Sequence, residues 1–216
     1  DRFAADASSL GPVCYFDSGP PPKPRGLPPI VLIHALGTNL TTWEYVAPAL
    51  AQHTRVLGLD LPGCGRSTKP RVAYRVSLMH EAVIGLLDHV REPQAVLFGH
   101  SFGGRIAMDL ALAHRQRVVG LVLMNSAGLF PYPRWMHVLG PYLLREQLVA
   151  PAIVVAVKLL LRRIFAQPTA RTQRFVSQVL DRYDPRYAWE FARYACPMLP
   201  DLMGDLGPRL RELDLP

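Results

Sequence analysis

Gly99-His100-Ser101-Phe102-Gly103 lies directly after the apolar run Ala95-Val96-Leu97-Phe98 and directly before Gly104-Arg105-Ile106-Ala107-Met108. The first run reads as a strand and the second as the opening of a helix, so Ser101 stands at the apex of a sharp strand-to-helix turn. An apex residue in such a turn takes a strained backbone conformation, and a side chain two positions before or after it would clash. Glycine at 99 and 103 removes that clash and leaves the Ser101 hydroxyl exposed above the edge of a sheet. The bare G-x-S-x-G pattern arises by chance in about one chain in fifteen of this length. Its setting between strand and helix is what gives it meaning.

Outward from this turn, apolar runs alternate with helical ones. Val13 to Phe16 reads as a short strand, and Pro20 to Pro29 as a proline-rich loop. Ile30-Val31-Leu32-Ile33 is a continuous apolar run of the kind found in parallel strands covered on both faces. Thr41 and Thr42 offer N-caps to a helix carrying Trp43, Val46 and Leu50, with Pro48 near its start. Val56-Leu57-Gly58-Leu59 is the next strand. Ser77 to Val90 carries Met79, Val83, Leu86, Leu87 and Val90 on one helical face. Phe102 to about His114 is a helix lined by Gly103, Gly104, Ala107 and Ala111, small enough to lie close on a sheet. Val118 to Met124 is a further strand, closing with Asn125-Ser126-Ala127-Gly128. This alternation predicts a parallel sheet with right-handed crossovers.

After Phe130 the strand-like runs stop, and helical segments follow, broken by Pro131, Pro133, Pro141, Pro151, Pro168, Pro185, Pro197 and Pro200. Leu206 to Leu213 reads as a short amphipathic helix. The expected organisation is a core over 1–130, a helical insertion over 131–205 and a return to the core over 206–216.

Composition narrows the class. Of 216 residues, 50% are hydrophobic, enough for one sizeable core. No run of eighteen uncharged apolar residues occurs; the longest candidate, Val149 to Leu161, is short and carries Lys158. Cys14, Cys64 and Cys196 are too few and too scattered for a disulfide framework or a metal cluster, and read as free thiols in a reducing, cytoplasmic compartment. The chain starts at Asp1, so a leader would lie upstream of it. The net charge of +7 is concentrated in residues 131–195, which hold ten Lys and Arg against four Asp and Glu. That segment has no phosphate loop or nucleic-acid motif, so no nucleic-acid partner is expected. A solvated helix face explains it most simply; weak contact with an anionic membrane surface or an acidic acyl carrier is the functional alternative.

Three ordered motifs carry a family resemblance. Ile33-His34-Ala35-Leu36-Gly37 followed by Trp43 resembles a strand-to-loop motif that usually reads His-Gly-x-Gly. Asp60-Leu61-Pro62-Gly63-Cys64-Gly65-Arg66-Ser67 resembles an Asp-x-Pro-Gly-x-Gly-x-Ser loop, and residues 99–104 resemble the nucleophile elbow. Together they resemble the capped α/β-hydrolase superfamily, in its serine-nucleophile branch. The resemblance implies an α/β-hydrolase fold, a mostly parallel doubly wound sheet with a helical cap.

It also implies Ser101 as nucleophile, activated by a histidine held by a carboxylate. The oxyanion donors it implies are the N–H groups of Phe102 and Leu36. His34 and His100 would shape the two loops and line the substrate pocket. Asp60 would organise its loop through backbone N–H groups, while Gly63 and Gly65 take positive φ and Trp43 packs in the core. His53, His80 and His89 read as surface positions, and His137 as a position at the start of the insertion. Serine at the apex, where epoxide hydrolases and dehalogenases need aspartate, argues against those two chemistries. No metal and no cofactor is implied.

Two departures stand out. Ala35 replaces the usual glycine, and its methyl tightens the loop that holds Leu36. The family's triad runs Ser, then Asp or Glu, then His along the chain. After Ser101 the histidines are His114 and His137, and no carboxylate fits before them: Asp109 lies on the same helix, and Asn125 is not an acid. Asp181, Asp184, Asp201, Asp205 and Asp214 have no histidine after them. The expectation is a C-terminally truncated chain lacking the last strands, with acid and base beyond residue 216. Val118 to Met124 would then be an exposed edge.

The expected activity is cleavage of an ester or similar acyl bond of a small apolar substrate, the aliphatic Leu139, Leu143, Leu144, Ile153 and Val157 favouring such a ligand. Carbon–carbon bond hydrolysis of ring-cleavage products, and non-catalytic ligand binding on the same fold, are the alternatives.

Overall fold

Ile30–Ile33 (β3) is apolar at every position because both its faces are covered, and it occupies the middle of a six-stranded sheet. The computed structural model describes residues 2–4, 8–23, 25–143, 145–152, 155, 169–170, 172–174, 176–177 and 185–215. The other strands are Arg2–Ala4 (β1), Val13–Asp17 (β2), Val56–Leu59 (β4), Ala95–His100 (β5) and Val118–Met124 (β6). Their order in the sheet is β1-β2-β4-β3-β5-β6. The last four are mutually parallel, while β2 runs antiparallel to both of its neighbours, β1 and β4. This is the mostly parallel sheet expected from the alternation of apolar runs, and it fits the fold that the motif resemblance implies.

Short helices and two long ones connect the strands. Leu40–Trp43 is a 3-10 turn and Ala47–Leu50 (α1) a single helical turn with proline in its first positions. The cap before them is Asn39, not Thr41 or Thr42: its side chain accepts the Thr41 N–H at 3.0 Å. Asparagine satisfies that orphan donor as well as threonine does, and it stands immediately before the turn, whereas Thr41 and Thr42 lie inside it. Val76–His89 (α2) buries Met79, Val83, Leu86 and Leu87 completely. Phe102–Ala113 (α3) buries Gly103, Gly104, Ala107 and Ala111, which bring it against the sheet. Trp43 is buried against Phe98, with ring centroids 5.4 Å apart, as core packing requires.

The chain divides into two compact units, 1–132 with 201–216, and 133–200. In the first, Arg105 reaches from α3 to the returning segment: its Nε donates to Asp109 at 2.6 Å and its Nη1 to the Gly204 carbonyl at 2.7 Å. Leu206 N–H also donates to the Gly128 carbonyl, and regular helix there covers Gly207–Leu210, shorter than the expected 206–213. β6 ends the sheet among the described strands, with Val122 and Met124 exposed. The second unit contains Arg134–Leu143 (α4) and Pro185–Ala195 (α5). The side chain of His137 lies outside the described residues, as do Leu144, Ile153, Val157, Asp181 and Asp184. Cys14, Cys64 and Cys196 form no disulfide among the described residues.

Candidate active site

Parallel register brings the three motifs to one edge. Ile33 pairs with Leu59 on one side and with Gly99 on the other, so His34, Asp60 and His100 each follow the same level of the sheet. In an open parallel sheet, the carboxyl ends of the strands are where ligands bind. β6 joins the same edge through the His100–Met124 pair.

Ser101 has φ 53° and ψ −110°, a conformation that side-chain-bearing residues rarely adopt. Four backbone hydrogen bonds hold it there. Its N–H donates to Met124 at 2.9 Å, and its carbonyl accepts from Gly104, Arg105 and Ala127 at 3.1, 3.2 and 3.1 Å. The surrounding glycines are required by close approach. A Cβ on Gly99 would lie 2.5 Å from the Gly103 carbonyl carbon and the Gly104 Cα. One on Gly103 would fall on the Ile33 carbonyl oxygen. The first turn of α3 therefore abuts the end of β3, where the His34 loop begins.

Ser101 is the N-cap of α3, so its side chain belongs to the positive end of a twelve-residue helix. Phe102 N–H, in that first turn, and Leu36 N–H, in the loop after β3, find no acceptor among the described residues. Phe102 is buried and Leu36 half-buried. Amides of this kind have the chemistry needed to bind developing negative charge.

His34 is 0% exposed, and both of its ring nitrogens are bound. Nδ1 donates to the Ala35 carbonyl at 2.8 Å and Nε2 accepts the Leu61 N–H at 3.0 Å. Burial holds its pKa below the ordinary histidine value, against the pull of the Ala35 carbonyl and the Asp60 charge. The ring ties the first loop to the second and offers no free polar atom to a substrate. His100 is half-buried, and burial lowers its pKa also. The Ala35 methyl is accommodated: the residue is buried, and its carbonyl also accepts from Thr38 Oγ1 at 2.8 Å.

Asp60 organises its loop as expected. Oδ1 accepts the Leu40 N–H and Oδ2 the Arg66 N–H, each at 2.8 Å, and the Asp60 carbonyl accepts Ser67 Oγ. Ser67 Oγ in turn accepts the Cys14 N–H at 2.8 Å, tying the loop to β2. Gly63 and Gly65 take φ 89° and 50°.

Other residues come into view only in three dimensions. His80, read as a surface position, is half-buried, and burial pushes its pKa down to about 4. Arg105, Asp109, His114 and Asp201 surround it electrostatically. Its helix position flanks the apolar stripe of α2 rather than opposing it, and its ring meets that of His114, just after α3, edge-on. His53 and His89 are exposed, as expected. Asn125 takes φ 43° immediately after the Met124 that anchors Ser101, and Ser126 Oγ is buried with no partner among the described residues. The signal for Arg105 was a single cation in a helix start otherwise built from small and apolar residues.

With this geometry in hand, the chain can be set beside known proteins. The model of the family described as alpha/beta hydrolase fold matches residues 28–147. The dihydrolipoyllysine-residue acetyltransferase component of the acetoin cleaving system of Pseudomonas putida is 37% identical over 156 residues, covering 72% of this chain and 40% of that protein. The 2-hydroxymuconate semialdehyde hydrolase of Pseudomonas sp. strain CF600 is 40% identical over 119 residues, covering 53% of this chain and 42% of that one. The chain thus spans less than half the length of these curated relatives. The enol-lactonase from Burkholderia xenovorans LB400 superposes with a TM-score of 0.75 at 27% identity, covering 100% of this chain and 78% of that one. The elbow, the two loops, the sheet order and these likenesses converge: the chain belongs to the alpha/beta hydrolase fold family.

Proposed function

We propose that the protein is a serine hydrolase that cleaves an ester or similar acyl bond of a small apolar substrate. Ser101 Oγ attacks the carbonyl carbon while its proton passes to a base, and the tetrahedral oxyanion is held by the N–H groups of Leu36 and Phe102. Collapse expels the alcohol with that proton, and water then hydrolyses the acyl-enzyme. One aligned donor in such a hole contributes about 3–4 kcal/mol in the transition state. The observation that carries the reading is the strained Ser101, held by four backbone bonds at the carboxyl edge of the sheet, with the Phe102 and Leu36 amides bound to no acceptor among the described residues. His100 lines the pocket, and residues 131–205 act as the cap that selects the acyl or leaving group.

The base and acid belong to the same reading. His34 has both ring nitrogens bound, so it is not free to take the Ser101 proton, while His80 lies on α2 among Arg105, Asp109, His114 and Asp201, where burial disfavours its protonated form. The proposed acid and base lie outside residues 1–216, so the 216-residue chain hydrolyses p-nitrophenyl butyrate no faster than its Ser101→Ala variant. In the full-length protein a fluorophosphonate probe labels Ser101, and Ser101→Ala abolishes the label. Absence of labelling in the full-length protein would favour the non-catalytic ligand-binding reading.

The likeness to 2-hydroxymuconate semialdehyde hydrolase supports a second reading, hydrolysis of a carbon–carbon bond in a ring-cleavage product. Both readings use Ser101. Turnover of a vinylogous diketone by the full-length protein, with no turnover of simple esters, would select the second.

A further inference from the structure

We propose that helix α4 is a docking face for an anionic lipid bilayer. Trp135, Val138, Leu139, Tyr142 and Leu143 recur at the i, i+3, i+4, i+7, i+8 spacing that puts side chains on one side of a helix. In a globular unit such a stripe ordinarily faces the core. Here these five side chains are 48% to 66% exposed, while among the described positions of α4 the buried one is Gly140. Leu148, in the helical stretch that follows, is also exposed. A run of large apolar side chains this continuous marks an interaction surface.

Charge and residue type identify the occupant. Arg145 Cζ lies 5.4 Å from the centre of the Tyr142 ring, at the end of the stripe, and is exposed. Arg174 and Arg186 of the same unit are exposed as well. The whole segment 131–195 carries ten basic residues against four acidic. Two copies of this face would bring like charges together, whereas a bilayer of anionic lipid supplies phosphates for the arginines and acyl chains for the stripe. Trp135 and Tyr142 have the apolar body and polar tip that settle at headgroup level. No described helix is long and apolar enough to cross a membrane, so α4 would lie in the plane of the interface.

Co-sedimentation of the purified protein with vesicles of phosphatidylglycerol and phosphatidylcholine, against phosphatidylcholine alone, tests this. The expected result is binding to the anionic vesicles at least tenfold tighter than to the neutral ones, weakened at least tenfold by 0.5 M salt. Tryptophan emission should shift to the blue on binding, and Trp135→Phe should remove most of that shift. The double variant Val138→Asp, Leu139→Asp should bind at least tenfold more weakly with an unchanged melting temperature, since both positions are exposed. Equal binding to the two vesicle types, no binding to either, or an unaffected double variant overturns the proposal. So does self-association in size-exclusion chromatography that the double variant disrupts while the wild type ignores vesicles.

Discussion

Helices α2 and α4 carry the same kind of apolar stripe, yet they sit in opposite relation to water. In α2, Met79, Val83, Leu86 and Leu87 are fully buried under the sheet unit. In α4, Trp135, Val138, Leu139, Tyr142 and Leu143 stand exposed. Helical periodicity reports that an apolar face exists. It says nothing of which surface covers that face, because spacing along a helix is local and covering is not. In the sheet unit, strand pairing builds a surface large enough to bury what is laid on it.

The sharpest way to break this contrast is at the elbow. A Cβ on Gly103 meets the Ile33 carbonyl, backbone against backbone, so Gly103→Val should lose more than about 3 kcal/mol of stability or fail to accumulate as folded protein. A urea midpoint within experimental error of the wild type would refute the close approach of α3 to β3. Matched truncations come next. Leu87→Ala should lose about 2–5 kcal/mol, whereas Leu139→Ala should stay within about 0.5 kcal/mol. Equal losses in parallel urea titrations would erase the distinction between the two helices.

Asp60→Ala leaves the Leu40 and Arg66 amides without their acceptor, and should lose about 1.5–3 kcal/mol. Asp60→Asn, which keeps an acceptor oxygen, should recover part of that.

Acid provides a further lever on the sheet unit. Burial pushes His80 down to about 4, from an ordinary value of 6.5. As the pH falls from 6.5 towards 4, the unfolded chain takes up a proton that the folded chain refuses, so stability falls across that window. The expected loss from this group is on the order of 2 kcal/mol. Buried His34 acts in the same direction. Urea midpoints at pH 7 and pH 5 should differ less in His80→Gln than in the wild type; an identical pH slope in both would remove His80 from the account. The smallest effect is expected at Val138→Ser, within about 0.5 kcal/mol and independent of pH.

The elbow could be read from five residues because each of its demands is local: a strand before, a helix after, and no side chain at positions 99 and 103. Asp60 was equally legible, since its glycines and proline mark a loop that needs an acceptor for its own amides. β1 was not, because Arg2–Ala4 is three residues long and is a strand only by pairing with β2. His80 was misplaced for a related reason. The charged groups around it belong to α3, to His114 just after it and to the segment around Asp201, all remote in sequence from His80. The His34 ring, a promising substrate contact on paper, has both nitrogens occupied, one of them by the Leu61 amide in the next loop.

What the chain determined by its order of residues alone is the succession of strands and helices, the serine at the turn and the loop built on Asp60. These depend on steric and hydrogen-bonding rules that act over a few residues. What the tertiary structure decided is which groups are spent and which remain available: the engaged ring of His34, the amides of Leu36 and Phe102 that find no acceptor among the described residues, the burial of His80, and the exposed stripe of α4. Those outcomes depend on strand register and on burial by distant segments, and neither is encoded at the position it governs.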